Sequence, residues 1–220
     1  MEKYLNILKK SDFFRQIPND TIISIVQSDV CYLKNYTAGT TIYECGQNIS
    51  FAGIVLEGEI DVIHSSADGT ETIVNRFAPA STFGASFSCV EYTNTLNNFR
   101  SITPSTILFI NINGLLHKRY KQCEHYVTLI ENIMFSLASS NIRLNTKIQV
   151  LTQKTLRDKL LTYFESLATQ NNSREFTLSF NREQLAGYLG SERSSICREL
   201  SKLAEEQLIK INRNQIILLT

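Results

Sequence analysis

The chain has 220 residues, of which 43% are hydrophobic and 20% are charged, and its formal net charge is +1. This composition is typical of a soluble globular protein, and the length favours two small domains over one. Since no apolar run is long enough to span a bilayer and the amino terminus does not resemble a signal peptide, we expect a cytoplasmic protein with no membrane partner.

The first 120 residues predict one domain, an antiparallel β-roll of the jelly-roll type with flanking helices. Residues 1–30 have the pattern of short helices interrupted by Pro18. From residue 31 to 112 the apolar residues recur at every second position, which indicates short strands separated by turns. The expected strands are residues 33–36, 41–44, 54–56, 60–64, 72–77 and 106–112, with a hairpin turn at Asp68-Gly69.

Two further segments complete this region. Residues 84–98 interrupt the strand pattern and predict a polar loop, and loops on a rigid sheet are common ligand sites. Residues 113–122 predict a short helix that leads into a longer one.

Residues 121–153 predict a long central helix with a seven-residue apolar repeat. One row of the repeat contains Val127, Met134, Asn141 and Ile148, and the other contains Ile130, Leu137, Leu144 and Leu151. So narrow a stripe favours pairing with an identical helix of a second chain, where Asn141 would fix the register. The alternative is that the stripe packs against the chain's own core.

Residues 154–220 predict a second domain of the winged helix-turn-helix type. After an amphipathic helix at 155–168, Asn181 and Gln184 have the spacing of a capping box. Gly190 suits the turn between two helices. The second helix is expected to bury Ile196, Leu200 and Leu203, and two strands at 210–219 would form the wing.

The opposite face of the second helix carries the candidate DNA contacts. Arginine recognises guanine with two hydrogen bonds, and serine bonds to base edges or phosphates. Basic residues at the start of the first helix and in the wing would contact phosphates. The expected DNA-binding residues are Arg182, Arg193, Ser194, Ser195, Arg198, Ser201, Lys202 and Arg213. The alternative is an ordinary helical hairpin with a solvated face.

Taken together, these features resemble the Crp/Fnr-type, cyclic AMP receptor protein-like, bacterial transcription regulators. The resemblance rests on glycines such as Gly46, Gly58 and Gly84, on the long helix, and on R-x-x-L-A-x-x-L-G at 182–190 followed by R-S-S-I-C-R-E-L at 193–200. It implies a homodimer that binds a pseudo-palindromic operator in double-stranded DNA, with RNA polymerase as a further candidate partner. It also implies an effector held between the β-roll and the central helix.

The chain departs from the cyclic AMP-binding members at the residues that hold the nucleotide. Gly84-Ala85 stands where those members have a Gly-Glu pair, and the place of their Arg-Ser pair falls near Thr95-Leu96. Without the glutamate and the arginine, the cyclic phosphate would be buried unpaired. We therefore expect an effector other than cyclic AMP. The candidate effector contacts are Gly84, Ala85, Ser86, Asn141 and Arg143.

Two other classes of function were weighed against DNA binding. One is a small-molecule-binding module that acts through protein partners, which Arg193 and Arg198 disfavour. The other is an enzyme, which is not expected because no paired carboxylates, nucleophile–base pair or metal-ligand cluster is present. The five scattered cysteines suggest neither a zinc site nor an iron–sulfur cluster, and no cofactor is identified.

Overall fold

The computed structural model describes residues 2–66, 68–90, 94–116 and 124–219. The chain divides into two compact units, Met1–Ser139 and Ser140–Thr220. The predicted fold class is confirmed: an α+β protein with an amino-terminal antiparallel β-roll, a long helix and a carboxy-terminal winged helix-turn-helix. The domain limits 1–120, 121–153 and 154–220 remain predictions. No helix among the described residues is both long and apolar enough to cross a membrane.

The first unit begins with short helices that cover one side of the β-roll. They are a 3-10 turn, α1 (Leu5–Lys10), a second 3-10 turn and α2 (Asn19–Val26), which starts directly after Pro18. Leu8, Phe13, Phe14 and Ile22 from this segment are buried against strands of the roll. The predicted short helices are therefore present, and their apolar residues cap the core.

The β-roll consists of two four-stranded antiparallel sheets. One sheet has the strand order β1-β8-β3-β6 and the other has the order β2-β7-β4-β5. Phe83, Phe99 and Phe109 belong to the apolar cluster of buried side chains within the roll. The strands are β1 (Cys31–Tyr36), β2 (Thr41–Tyr43), β3 (Ala52–Glu57), β4 (Ile60–Ser65), β5 (Glu71–Phe77), β6 (Thr82–Phe83), β7 (Asn98–Ser101) and β8 (Ser105–Ile110).

The segment expected to be a polar loop contains more regular structure than its composition indicated. It starts with a short helix, α3 (Ala85–Ser88), and β7 begins at its end. Gly84 precedes the helix with a φ of 72°, and a Cβ atom there would lie 3.2 Å from the Ile49 side chain. Both the conformation and the close approach require glycine at this position.

The long helix is α5 (Tyr126–Leu151), and its first half belongs to the first unit. It follows a short helix, α4 (Ile112–Leu115), that begins one residue before the predicted start; residues 117–122 of that prediction lie outside the described ranges. Leu129 and Ile133 of α5 are buried in the same cluster as α1 and α2. Between them, the buried amide of Asn132 donates to the carbonyls of Phe13 and Arg15, at 3.1 and 2.7 Å. These bonds fix α5 to the amino-terminal segment.

The second unit contains the end of α5 and the winged helix. Its elements are α6 (Leu156–Asn171), β9 (Glu175–Thr177), α7 (Arg182–Leu189), α8 (Arg193–Glu205), β10 (Ile209–Asn212) and β11 (Gln215–Leu218). The strand order is β10-β11-β9. Strand β9 was not predicted, because only Phe176 of its three residues is buried and so short a segment has no apolar repeat.

The end of α5 is anchored within this second unit. Val150 is buried in the core of the winged helix. The Lys147 ammonium lies 4.7 Å from the centre of the Tyr188 ring, and burial lowers the pKa of this lysine. Tyr188 in turn lies 5.1 Å, between ring centres, from both Tyr163 and Phe180. The last turns of α5 therefore pack as part of the winged-helix unit.

Candidate nucleic-acid interface and effector region

The two helices of the helix-turn-helix have the local geometry that the sequence predicted. The backbone N–H of Gln184 donates to the Asn181 side chain and the N–H of Asn181 donates to the Gln184 side chain, both at 2.9 Å, so α7 begins with a capping box. It ends at Gly190, whose φ is 61°. The N–H of Ser191 then donates to the carbonyl of Ala186 at 2.9 Å, which closes the helix end.

Helix α8 separates a buried face from an exposed one. Ile196, Leu200 and Leu203 are buried in the core of the unit, as predicted. The exposed side chains are Arg193, Ser194, Cys197, Arg198, Ser201 and Lys202, whereas Ser195 is half-buried. A polar helix face that carries arginine, lysine and serine has the groups needed to read bases in a major groove.

The two arginines of this face are chemically available. In the part of the chain that the structure describes, neither Arg193 nor Arg198 forms an ion pair or a side-chain hydrogen bond. The serines are less free, because the Ser201 hydroxyl donates to the Cys197 carbonyl at 3.1 Å and the Ser194 hydroxyl donates to Glu192 at 3.4 Å. The arginines are therefore the side chains best placed to form new charge-assisted bonds.

Arg182 has a role that the sequence did not indicate. Its side chain is half-buried, and its Nη2 atom donates to the backbone carbonyl of Arg213 at 2.7 Å. Arg213 occupies the turn of the β10–β11 hairpin with a φ of 53°, and its side chain is exposed. Arg182 thus braces the wing, and Arg213 is the side chain that projects from it. That either residue contacts phosphate remains a prediction.

For Arg213, replacement by alanine is expected to weaken binding to all DNA sequences alike. Loss of one phosphate contact reduces the slope of log affinity against log salt concentration by about one unit. Arg213→Lys is the matched control, because lysine keeps the positive charge and must adopt the same left-handed backbone conformation as alanine does at this position. Fluorescence anisotropy on specific and random duplexes over a range of salt concentrations measures both effects. An unchanged slope for Arg213→Ala would remove the wing from the interface.

The predicted pairing stripe of α5 is largely exposed. Val127, Met134, Leu144 and Ile148 are exposed by 59–67% of their surface, and Leu151 and Asn141 are also exposed. Ile130 is half-buried, and the half-buried Leu137 packs against the core of the first unit. The Asn145 amide donates to the Asn141 side-chain oxygen at 2.8 Å. Most of the stripe is therefore apolar surface that the chain itself does not cover.

The candidate effector residues have different environments. Gly84 shapes the backbone before α3, and the half-buried side chain of Ala85 packs against the apolar core. Ser86 is exposed. In the second unit, Asn141 is exposed, and Arg143 donates to the Ser140 hydroxyl at 2.8 Å. Ser86, Asn141 and Arg143 have polar groups at the surface, and contact of any of the five residues with an effector remains a prediction.

The residues at the expected phosphate position carry no cation. Thr95 is buried, its hydroxyl donates to the carbonyl of Asn97 at 3.0 Å, and Leu96 is exposed. The nearest arginine in the sequence, Arg100, lies in β7 and forms a two-bond ion pair with Glu71 at 2.7 and 2.8 Å. Its guanidinium is already paired, and this pairing lowers the pKa of the Glu71 carboxyl.

The thiols of the described cysteines differ in exposure. Burial raises the pKa of Cys31 to about 12, with a smaller contribution from Asp29, and burial also raises the pKa of Cys89. Cys45 and Cys197 are exposed, and Cys123 lies outside the described residues. No group of His, Cys, Asp and Glu side chains within the described ranges could hold a metal ion.

Two family models match separate parts of the sequence. The model of the cyclic nucleotide-binding domain matches residues 33–118, and the model of the Crp-like helix-turn-helix domain matches residues 158–220. The two matches do not overlap and together cover more than half of the chain. No curated protein matches the sequence significantly.

Three solved structures of bacterial proteins are examples of those with a fold similar to this chain. The cyclic di-GMP-responsive global regulator CLP from Xanthomonas campestris is 17% identical, with a TM-score of 0.65 over 91% of this chain and 99% of that one. FixK2 from Bradyrhizobium japonicum is 17% identical, with a TM-score of 0.60 over 87% and 93%. TTHB099, a CRP-family regulator from Thermus thermophilus, is 19% identical, with a TM-score of 0.53 over 85% and 92%. At this identity the likeness concerns the fold.

The fold and the paired domains define a transcriptional regulator with a cyclic nucleotide-binding domain and a Crp-like helix-turn-helix domain. The chain belongs to the Crp/Fnr family, as the order of its cyclic nucleotide-binding and Crp-like helix-turn-helix domains shows.

Proposed function

We propose that this regulator binds a pseudo-palindromic operator as a homodimer, in the cytoplasm. The observation that carries the proposal is the exposed face of α8, where Arg193 and Arg198 have no partner among the described side chains. The buried face of the same helix fixes it firmly to the unit. A rigid helix with free arginines on its outer side is suited to the major groove.

The exposed apolar residues in the second half of α5 support the proposed dimer. Its exposed Leu144 and Ile148 lie four residues apart, and Leu151 follows three residues later. Burial of these side chains against the same stripe of a second copy removes apolar surface from water. Two winged helices related by two-fold symmetry then read two half-sites about one helical turn, roughly 10 base pairs, apart.

Selection from a random DNA pool tests the proposal. Recovery of an inverted repeat with this spacing is the expected result. Equal binding to every sequence would leave only the electrostatic attraction to phosphates. Failure to bind any duplex would favour the alternative in which the helix-turn-helix contacts a protein partner. RNA polymerase is a candidate partner at the promoter, and a ternary complex on the recovered operator is the experiment that tests it.

We further propose that the effector of the amino-terminal domain is not cyclic AMP. The half-buried Ala85 side chain packs against the core and has no polar group, and the Thr95 hydroxyl is already bonded to the Asn97 carbonyl. A cyclic phosphate bound near these residues would lose water without gaining a cation, which costs several kcal/mol.

Neither cyclic AMP nor cyclic GMP is therefore expected to raise the melting temperature. A ligand at about 100 times its dissociation constant adds roughly 2.7 kcal/mol of stability, which a thermal shift assay detects easily. The control is a titration of the same nucleotides into the Arg100→Gln variant. This substitution removes the partner of Glu71, and the melting temperature of the variant shows how far a change of charge in this sheet alone affects the assay. A clear shift of the wild-type protein by either nucleotide would contradict the proposal.

A further inference from the structure

A groove at one edge of the β-roll has no role in the functions described above. It has a volume of about 350 Å³ and is lined by residues of β1, β2 and β8 and by Gln47 and Asn48, which follow β2. Because side chains alternate along a strand, Tyr32, Lys34 and Tyr36 share one face of β1. Phe109 pairs with Tyr32 across the β1–β8 ladder, and Tyr43 reaches the groove from β2.

The walls of the groove are aromatic. The rings of Tyr32 and Phe109 stack with centres 4.9 Å apart and an angle of 16° between their planes. Tyr36 and Tyr43 approach Phe109 edge-on, with centres 6.3 and 6.2 Å away. Tyr32 nevertheless remains 42% exposed. Phe109 is only 1% exposed and supports the other rings from below, so Tyr32 and Tyr36 offer the apolar surface to a flat ring system.

The polar groups of the groove are one lysine, three phenol hydroxyls and the amides of Gln47 and Asn48, whose side-chain oxygens accept from the Glu44 N–H and the Ser50 hydroxyl. The Lys34 ammonium lies 5.0 Å from the centre of the Tyr36 ring, and Lys34 forms no ion pair with any described carboxylate. The hydroxyl of Tyr43 donates to the carbonyl of Phe51 at 3.2 Å. The hydroxyls of Tyr32 and Tyr36 have no hydrogen-bond partner within the described residues. Burial raises the pKa of Tyr36 to about 12, so this hydroxyl is a donor at neutral pH.

We propose that this groove binds an aromatic carboxylate, with its ring against Tyr32 and Tyr36 and its carboxylate on the Lys34 ammonium. A monovalent planar acid matches one cation and two phenol donors, whereas a phosphate would bring more charge than the groove balances. The volume of about 350 Å³ suits a small ring system. The groove contains none of the residues assigned to DNA binding or helix pairing. A test of ligand binding in the groove is therefore independent of the tests of the proposed function.

Binding of 2-naphthoate to the full-length protein tests the inference. The chain contains no tryptophan, so the fluorescence of the probe is read without that background. Saturable binding of 2-naphthoate is expected, and the uncharged 2-naphthamide is expected to bind at least about tenfold more weakly, because it cannot form the charge-assisted bond. This comparison uses the wild-type protein alone and does not depend on how a variant folds.

Variants then locate the site. Lys34→Gln and Tyr36→Ala should each weaken 2-naphthoate binding by about tenfold or more, while Lys34→Arg should retain it. Lys10→Gln, which removes an exposed lysine of α1 in the same unit, is the matched control and should bind as the wild type does. Equal affinity of the wild type and Lys34→Gln would overturn the proposal. Absence of saturable binding at up to about 1 mM, or equal binding of the acid and the amide, would do the same.

Discussion

Leu144→Asp is expected to convert the proposed dimer into monomers. Leu144 is 60% exposed in the single chain, so the substitution leaves the fold of each unit intact. In the dimer it would place two carboxylates in an apolar seam, and each costs several kcal/mol to desolvate. A total of at least ~4 kcal/mol raises the dissociation constant about a thousandfold. Sedimentation equilibrium measures this change directly.

The matched control for this experiment is Gln149→Asp. Gln149 is an exposed residue near the end of the same helix, but it does not belong to either row of the apolar repeat. The same charge at that position should leave the association constant almost unchanged. Leu137→Asp is a poorer probe, because Leu137 packs partly against the core of its own unit and its replacement disturbs folding as well. A monomeric wild-type protein, or a dimeric Leu144→Asp variant, would refute the pairing through α5.

Arg198→Ala is expected to reduce affinity for the preferred operator half-site by about 1–3 kcal/mol, or roughly 5- to 150-fold. Arg198 lies five residues after Arg193 on the exposed face of α8, and a guanidinium at this position is free to make two bonds to a guanine. Loss of a base contact lowers the preference for one base pair in each half-site and leaves non-specific binding nearly unchanged. Competition assays with single-base variants of the selected operator distinguish these effects.

Arg174→Ala serves as the control for charge alone. Arg174 is an exposed arginine of the same unit that lies between α6 and β9, outside the helix-turn-helix. Its removal changes the net charge by the same amount but should not alter base preference. If Arg198→Ala lost affinity equally on all sequences, Arg198 would be a phosphate contact, and Arg193 would become the candidate base reader.

The elements predicted best from the sequence are those in which buried apolar residues recur at a regular spacing. Helix α8 is the clearest case, because Ile196, Leu200 and Leu203 recur at helical spacing and all three are buried. The short strands β6, β7 and β9, of two to four residues, were not among the predicted strands. Their formation depends on partner strands that are distant in the sequence, and local pattern contains no information about such partners.

In the candidate sites, too, residue spacing predicted the exposed face of a helix but did not predict long-range contacts. The spacing of Arg193 and Arg198 placed them on the outer face of α8, where the structure has them. Arg182 is predicted to contact a phosphate, and the structure adds a bond from its side chain to the carbonyl of Arg213, 31 positions later in the chain. Ala85 is a candidate effector contact, and its half-buried side chain packs against the core. Neither of these long-range contacts leaves a signal in the neighbouring residues.

The anchoring of the end of α5 determines where the winged helix can be excised for expression. A fragment that begins at Lys154 would lose Val150 and expose the apolar surface that this side chain covers. It would also lose Lys147 and with it the cation above the Tyr188 ring. A fragment that begins at Ser140 keeps both contacts. Binding of a half-site by the isolated, monomeric winged helix is therefore best studied with the fragment that begins at Ser140. If the shorter fragment failed to fold, that result would give no information about DNA recognition.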